Sequence, residues 1–146
     1  MASVTYTQQL NAAALRQLVT SPTGGLARDL MRRGLMVETQ AKRNLNGGLS
    51  GPRRIDTGRL RSSIVTVPVR RDGELAVLIG TNVFYARYVH DGTGLYGPKH
   101  RPIRPVRAKL LRFKPRGKSR YVFAKEVKGM IRNQFLLDAL KVAGGR

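Results

Sequence analysis

The sequence predicts a chain that mixes helices and strands, with a helical pattern at each end and strand-like runs between. Three observations predict it. An apolar stripe at helical spacing runs from Leu26 to Leu45. Two runs of alternating character, Ser63 to Arg70 and Glu74 to Gly80, flank the turn signal Arg71-Asp72-Gly73. A shorter helical pattern covers residues 134–142.

Residues 2–20 are polar at first and then carry Leu10, Ala14, Leu15 and Leu18, a spacing that suits a short amphipathic helix. Thr20-Ser21-Pro22 ends it and opens the next: Ser21 is a capping residue and Pro22 suits a first helical position, while Gly24-Gly25 moves the start towards Leu26. Leu26, Leu30, Gly34, Val37, Ala41 and Leu45 then form one stripe, with Arg28, Arg32, Arg33, Lys42 and Arg43 off it. Gly34 weakens this helix by up to about 1 kcal/mol relative to Ala, and a glycine on the buried stripe is expected to let a strand come close. Asn46-Gly47-Gly48 stops the helix, and residues 46–55 form a loop.

Asp56-Thr57-Gly58 reads as a turn, with Asp56 as a candidate cap. In the first strand, Ile64, Thr66 and Pro68 alternate with Val65, Val67 and Val69, and Pro68 places it at an edge or a bulge. In the second, Leu75, Val77 and Ile79 lie opposite Ala76 and Leu78, which completes an antiparallel hairpin. Asn82 to Tyr88 is expected to form a helical turn, and Asp91-Gly92-Thr93-Gly94 breaks the chain. In residues 95–120, Pro98, Pro102, Pro105 and Pro115 prevent regular helix. Leu110, Leu111 and Phe113 suggest a short strand there, and Tyr121 to Val127 another; Gly129 interrupts. The last helix carries Phe135, Leu136, Ala139 and Leu140 on its apolar side. At 146 residues the chain is read as one domain, 1–146, with 46–55 and 95–120 as extended loops and 143–146 as a frayed tail.

Charge is the dominant compositional fact: 28 Lys and Arg against 8 Asp and Glu, a net +20. Such a chain repels itself unless DNA, RNA, anionic lipid or an acidic protein lies near it. Ten basic residues crowd the second loop: Lys99, Arg101, Arg104, Arg107, Lys109, Arg112, Lys114, Arg116, Lys118 and Arg120. They suit phosphates or the acidic faces of neighbouring proteins, and without a base-reading module any nucleic-acid contact is sequence-independent. With no cysteine and two histidines, disulfides, thiolate metal sites and a histidine-rich metal site are excluded, and no cofactor is expected. No signal peptide and no apolar run of roughly 18 residues is present, so no membrane role is expected and cytosol-like conditions suit the chain.

Enzymatic chemistry is not expected. His90-Asp91 has the types of a base and its orienter, but no serine or cysteine nucleophile stands in a recognisable motif. Gly92-Thr93-Gly94-Leu95-Tyr96-Gly97 spells a dinucleotide fingerprint without the strand and helix that give it meaning. Phe84, Tyr85 and Tyr88, within one turn of each other, suit core or subunit packing better than base stacking.

The order of these motifs resembles the small neck or tail-completion proteins of long-tailed bacteriophages. Four pieces carry the resemblance: the helix ending Val37-Glu38-Thr39-Gln40-Ala41-Lys42-Arg43-Asn44-Leu45; Asp56-Thr57-Gly58-Arg59-Leu60-Arg61-Ser62-Ser63-Ile64; Ile79-Gly80-Thr81 followed by Tyr85-Ala86-Arg87-Tyr88-Val89-His90-Asp91-Gly92-Thr93; and Phe135-Leu136-Leu137-Asp138-Ala139-Leu140. They span residues 26–142. The chain departs from the pattern at Asn133-Gln134, where the family places a proline, and at His90-Asp91, where it commonly has a glutamate-phenylalanine type of pair.

The resemblance implies an α+β fold, a small, mainly antiparallel sheet packed against a long N-terminal helix and a short C-terminal helix, with long basic loops. It implies a structural virion protein of the neck that completes the tail and joins it to the DNA-filled head. The copies would form a homo-oligomeric, sixfold ring around the DNA channel, assembled in the host cytoplasm. Its expected partners are a head-completion protein and a tail terminator or tail tube, with non-specific contact to genomic DNA. Candidate lumen or partner contacts are Arg53, Arg54, Lys99, Arg101, Arg104, Arg107, Arg112, Lys114, Arg116, Lys118 and Arg120; candidate subunit-packing residues are Phe84, Tyr85, Tyr88, Phe135 and Leu136. The alternative is a sequence-independent nucleic-acid-binding protein, ribosome-associated or a DNA-packaging factor.

Overall fold

The computed structural model describes residues 12–47, 51–115, 117 and 119–144. Helices α1 (Ala12–Thr20) and α2 (Gly25–Asn44) are followed by a single helical turn, α3 (Arg59–Ser62). Strands β1 (Val65–Arg71) and β2 (Glu74–Gly80) come next, then α4 (Ala86–Asp91), a 3-10 turn at Gly94–Tyr96, strands β3 (Leu111–Phe113) and β4 (Val122–Ala124), and helix α5 (Phe135–Gly144). The architecture is α+β, as expected. Leu10 and Gly48, which the sequence places in α1 and in the stop of α2, lie outside the described residues.

The α2 stripe is the spine of the fold. Gly34, Val37, Ala41 and Leu45 are buried, and Leu26 and Leu30 are half-buried. Pairs one turn apart tie the helix: Asp29 to Arg32 at 2.9 Å and to Arg33 at 2.8 Å on the exposed side, and Glu38 to Lys42 at 2.6 Å in a partly covered position. Gly47, at φ 98°, turns the chain out of the helix.

The β1–β2 hairpin lies across α2. Arg71 pairs with Glu74 around the two-residue turn Asp72-Gly73, whose φ values of 54° and 83° give the twist that a tight hairpin needs. Gly34 allows the close approach: a Cβ there would meet Thr66 Cγ2 and Val77 Cγ1 at 2.7 Å. Thr66 Oγ1 donates to the Gly34 carbonyl at 3.3 Å. Pro68 pairs with Val77 on β1, whose only neighbour is β2, so it occupies the edge position a proline tolerates.

Helix α5 packs on the other end of α2. Phe135 and Ala139 join Val37, Ala41, Leu45, Leu60, Ile64, Ala86 and Val89 in one buried cluster. Phe135, Leu45 and Ile64 are fully buried, each contributing about 1.5–3 kcal/mol through removal from water. The helix runs two residues beyond its expected end, through Ala143, which packs against the core, and Gly144.

Three expectations shift. Helix α4 starts at Ala86 rather than near Asn82, because the Thr81 hydroxyl accepts the Val83 N–H at 3.2 Å and holds the preceding residues in a turn. The strand expected over Tyr121 to Val127 shortens to β4, bends at Lys125, and resumes only as the bridge between Val127 and Ile103. In place of one sheet there are two, β1–β2 and β3–β4. The proline-bearing stretch 98–105 carries the chain away from the first hairpin, and β3 then finds its partner in the segment that returns.

A basic arm and a bare apolar face as candidate contact surfaces

Glycines build the root of the arm. After Val89, the segment Gly92-Thr93-Gly94 runs against residues 128–133 backbone to backbone. Thr93 N–H donates to Met130 O at 2.9 Å, Leu95 N–H to Lys128 O at 2.8 Å, and Asn133 N–H to Val89 O at 2.9 Å. The Thr93 hydroxyl accepts the Met130 N–H at 2.9 Å. Gly92, Gly94 and Gly129 have φ of 80°, 65° and 94°. A Cβ on Gly92 would meet Tyr96 O at 2.7 Å, and one on Gly94 would meet Gly129 Cα at 2.9 Å. The dinucleotide-like spelling is therefore a clasp between two chain segments.

Beyond the clasp the chain leaves the body and returns as a ribbon. Ile103 and Val127 exchange backbone hydrogen bonds of 2.8 and 2.9 Å, and Arg104 grips Glu126 at 3.0 and 3.1 Å through two nitrogens. Further out, Leu111 pairs with Ala124, Arg112 with Phe123, and Phe113 with Val122. Residues facing each other across a ladder share a face. Leu111, Phe113, Val122 and Ala124 therefore form one side and Arg112 and Phe123 the other. Arg112 stacks over the Tyr121 ring, 4.0 Å from its centroid.

The structure treats the sequence-derived candidates unequally. Lys99, Arg101, Arg107, Lys109, Lys114 and Arg120 are exposed, as is Arg53. Arg104 and Arg112 are also exposed but engaged, as just described. Arg116 and Lys118 lie outside the described residues. Arg54 turns inward. Its Nη2 donates to Ile131 O at 2.6 Å, its Nε is buried without a partner among the described residues, and burial pulls its pKa below the ordinary arginine value. It fastens the 51–55 segment to residues 131–133.

The aromatic candidates divide in the same way. Phe84 is 84% exposed and Tyr88 54%, while Tyr85 is half-buried against the core and meets Phe84 edge-on at 5.6 Å. Phe135, at 1% exposure, belongs to the core of its own chain, and Leu136 packs against that core; neither is a surface contact. His90 is half-buried, with Nδ1 at 2.9 Å from Asp91 Oδ1 and its ring edge-on to Phe135 at 5.5 Å. That is a packed structural pair. Among the described residues no cluster of His, Asp or Glu is placed to hold a metal ion, and no helix is long and apolar enough to cross a membrane.

Two features escaped the sequence reading. One is the outer face of the first hairpin. Val67 stands opposite Leu78, and Val69 opposite Ala76, on the side away from α2. Val65, Val67 and Leu78 are 51%, 45% and 62% exposed, so this apolar face is bare. Leu15, Leu18 and Val19 on α1 and Leu35 and Met36 on α2 are exposed as well. The alternation of both strands was the available signal. The other is Asn133, fully buried, whose Nδ2 donates to Asn44 O at 3.3 Å and Pro52 O at 3.1 Å. Its signal was the departure from proline just before Phe135.

One family model matches residues 13–92 of the 146, more than half of the chain; its description is "Bacteriophage HK97-gp10, putative tail-component". The match spans α1 to α4 and ends at the clasp, with the arm and α5 beyond it. No curated protein and no solved structure matches the chain significantly. The exposed apolar faces and the uncompensated charge suit a subunit of a larger assembly. The chain belongs to the HK97 gp10-like family of phage tail components, and is a structural protein of the virion.

Proposed function

We propose that this chain is a neck protein that completes the tail and joins it to the DNA-filled head, as one of six copies in a ring around the DNA channel. The bare outer face of the first hairpin carries the proposal. A two-stranded sheet that is apolar on both faces, covered by α2 on one side only, is a subunit awaiting a neighbour. Head-to-tail contacts in a closed ring join two different surfaces of each subunit. The hairpin face of one copy and the exposed apolar residues of α1 and α2 on the next are two such surfaces. The head-completion protein on one side and the tail terminator or tail tube on the other are the axial partners.

The test is negative-stain microscopy of lysates made with this gene silenced. Filled heads beside unattached or irregularly ended tails are expected; fully joined, infectious particles overturn the reading. A companion variant, Leu78→Lys, is expected to keep the fold and to lose ring formation in size-exclusion chromatography with light scattering. The second reading is a sequence-independent nucleic-acid-binding protein. It is favoured by the arm, and normal particles without this protein would support it.

A further inference from the structure

The arm concentrates basic charge and carries no acidic residue of its own. From Gly92 to Lys125 the chain has no Asp or Glu, and Glu126, the first carboxylate after it, is occupied by Arg104. Within this stretch Arg112, Lys114, Arg116, Lys118 and Arg120 recur at every second residue. Among the named elements, β3 and β4 pack chiefly on each other. The ribbon also carries aromatic surface: Tyr121 is 54% exposed and Phe123 61%, and the Tyr121 ring holds the Arg112 guanidinium flat against it.

We infer that the β3–β4 arm is a contact for double-stranded DNA, laying a two-stranded ribbon into a groove with Arg112, Lys114 and Arg120 on the flanking phosphates. Three physical points favour DNA over an acidic protein. Protein–DNA interfaces are much more positively charged than protein–protein interfaces. A two-stranded ribbon has the width that the major groove of B-DNA admits. From Ile103 to Val127 the chain has no Asn or Gln to read adenine, which suits binding that follows the backbone and ignores sequence. The inference deepens the neck reading, on which it rests for the kind of polyanion within reach, and it assigns that contact to a particular ribbon.

The test uses the full-length protein, a fluorescent duplex of mixed sequence and the matching single strand, titrated at several salt concentrations. The expected result is tighter binding to duplex than to single strand, with an affinity that falls steeply with salt, by about 0.9 in log–log slope per phosphate contacted. The triple variant Arg112→Gln, Lys114→Gln, Arg120→Gln is expected to flatten that slope by roughly 2–3 and to weaken binding roughly 100-fold at 0.1 M salt. Tyr121→Leu keeps every charge. It is expected to weaken binding about two- to fivefold with the slope unchanged, as the guanidinium loses its ring. Circular dichroism of each variant checks that the body remains folded.

Three results overturn the inference: a slope that the triple variant leaves unchanged, tighter binding to the single strand, or displacement of the duplex by polyglutamate at equal charge concentration. The last would identify an acidic protein as the partner. The measurement needs neither ring nor virion, so its failure leaves the neck reading to be judged by microscopy alone.

Discussion

Among the described residues, the first hairpin, Val65 to Gly80, and the ribbon of the arm, Leu111 to Ala124, are both antiparallel pairs without a third strand. A two-stranded pair alone is marginally stable in water and needs a surface to lie on. The first hairpin has one. Its inner face rests on α2 at Gly34, and its turn is two residues long. Among the described residues the second is held at its root by the Ile103–Val127 bridge and the Arg104–Glu126 pair, and the sequence between its strands carries charge of one sign. The same secondary structure thus draws its stability from packing in one place and from pins and an outside partner in the other. The first hairpin belongs to the folding unit; the second is carried by it.

Substitutions can break or sharpen this contrast. The largest expected effect is at Phe135, which closes the core beneath α2: Phe135→Ala is expected to cost about 3–5 kcal/mol in thermal or denaturant unfolding. A loss below about 1 kcal/mol would mean that α5 is not part of the unit that supports the hairpin. Next is the contact between helix and hairpin. Gly34→Ala gains up to about 1 kcal/mol in helix propensity and costs about 1–3 kcal/mol in overpacking against Thr66 and Val77. A net destabilisation is expected, and a stabilised variant would show that the hairpin does not press on α2.

A smaller effect sharpens the same contact through pH. The Lys42 ammonium, and after it the Thr66 hydroxyl, hold the Glu38 carboxyl below its ordinary pKa. A carboxylate with a depressed folded pKa stabilises the protein above its unfolded value, near 4.5, and that stabilisation is lost as pH falls through the folded value. Glu38→Gln is therefore expected to lower stability at pH 7 by about 0.2–0.5 kcal/mol, the scale of a helix pair one turn apart. Unfolding curves of the two proteins are expected to converge as the medium is acidified below pH 4.5; a gap that persists in acid would refute the cause. The smallest effect is expected from the triple arm variant, which is predicted to change stability by less than about 0.5 kcal/mol in the same assay, since the side chains it alters lie outside the core.

The fold was legible where neighbours in sequence decide it. The α2 stripe repeats at the spacing that builds one buried face, and Asp72-Gly73 sets the hairpin turn by its own φ values. It was illegible where a distant segment decides. Arg53 and Arg54 are adjacent and alike in type, yet one is exposed and the other is folded onto Ile131, 77 positions away. Alternation showed that both faces of the first hairpin are apolar, but only tertiary packing decides which face α2 covers. In sequence Asp91-Gly92-Thr93-Gly94 is a break in the chain; that its glycines seat residues 128–130 depends on a partner some 35 residues on. Of the candidate contact residues, Lys99, Arg101, Arg107, Lys109, Lys114 and Arg120 are exposed, whereas Phe135 lies in the core of its own chain, since helical spacing does not separate a core aromatic from an interface one.

The clasp has a consequence for how such a protein changes over generations. Its grip is made of main-chain groups and glycines, with Thr93 contributing one hydroxyl, and it brings the outgoing and returning strands of the arm side by side. What lies between Leu95 and Lys128 can then vary in length and charge without moving the core, since each doubling of a loop costs only about 0.6 kcal/mol. The body is a socket and the arm a replaceable fitting. A Cβ at Gly92 or Gly94 would collide with the facing backbone, so any exchange of the fitting has to keep those two glycines.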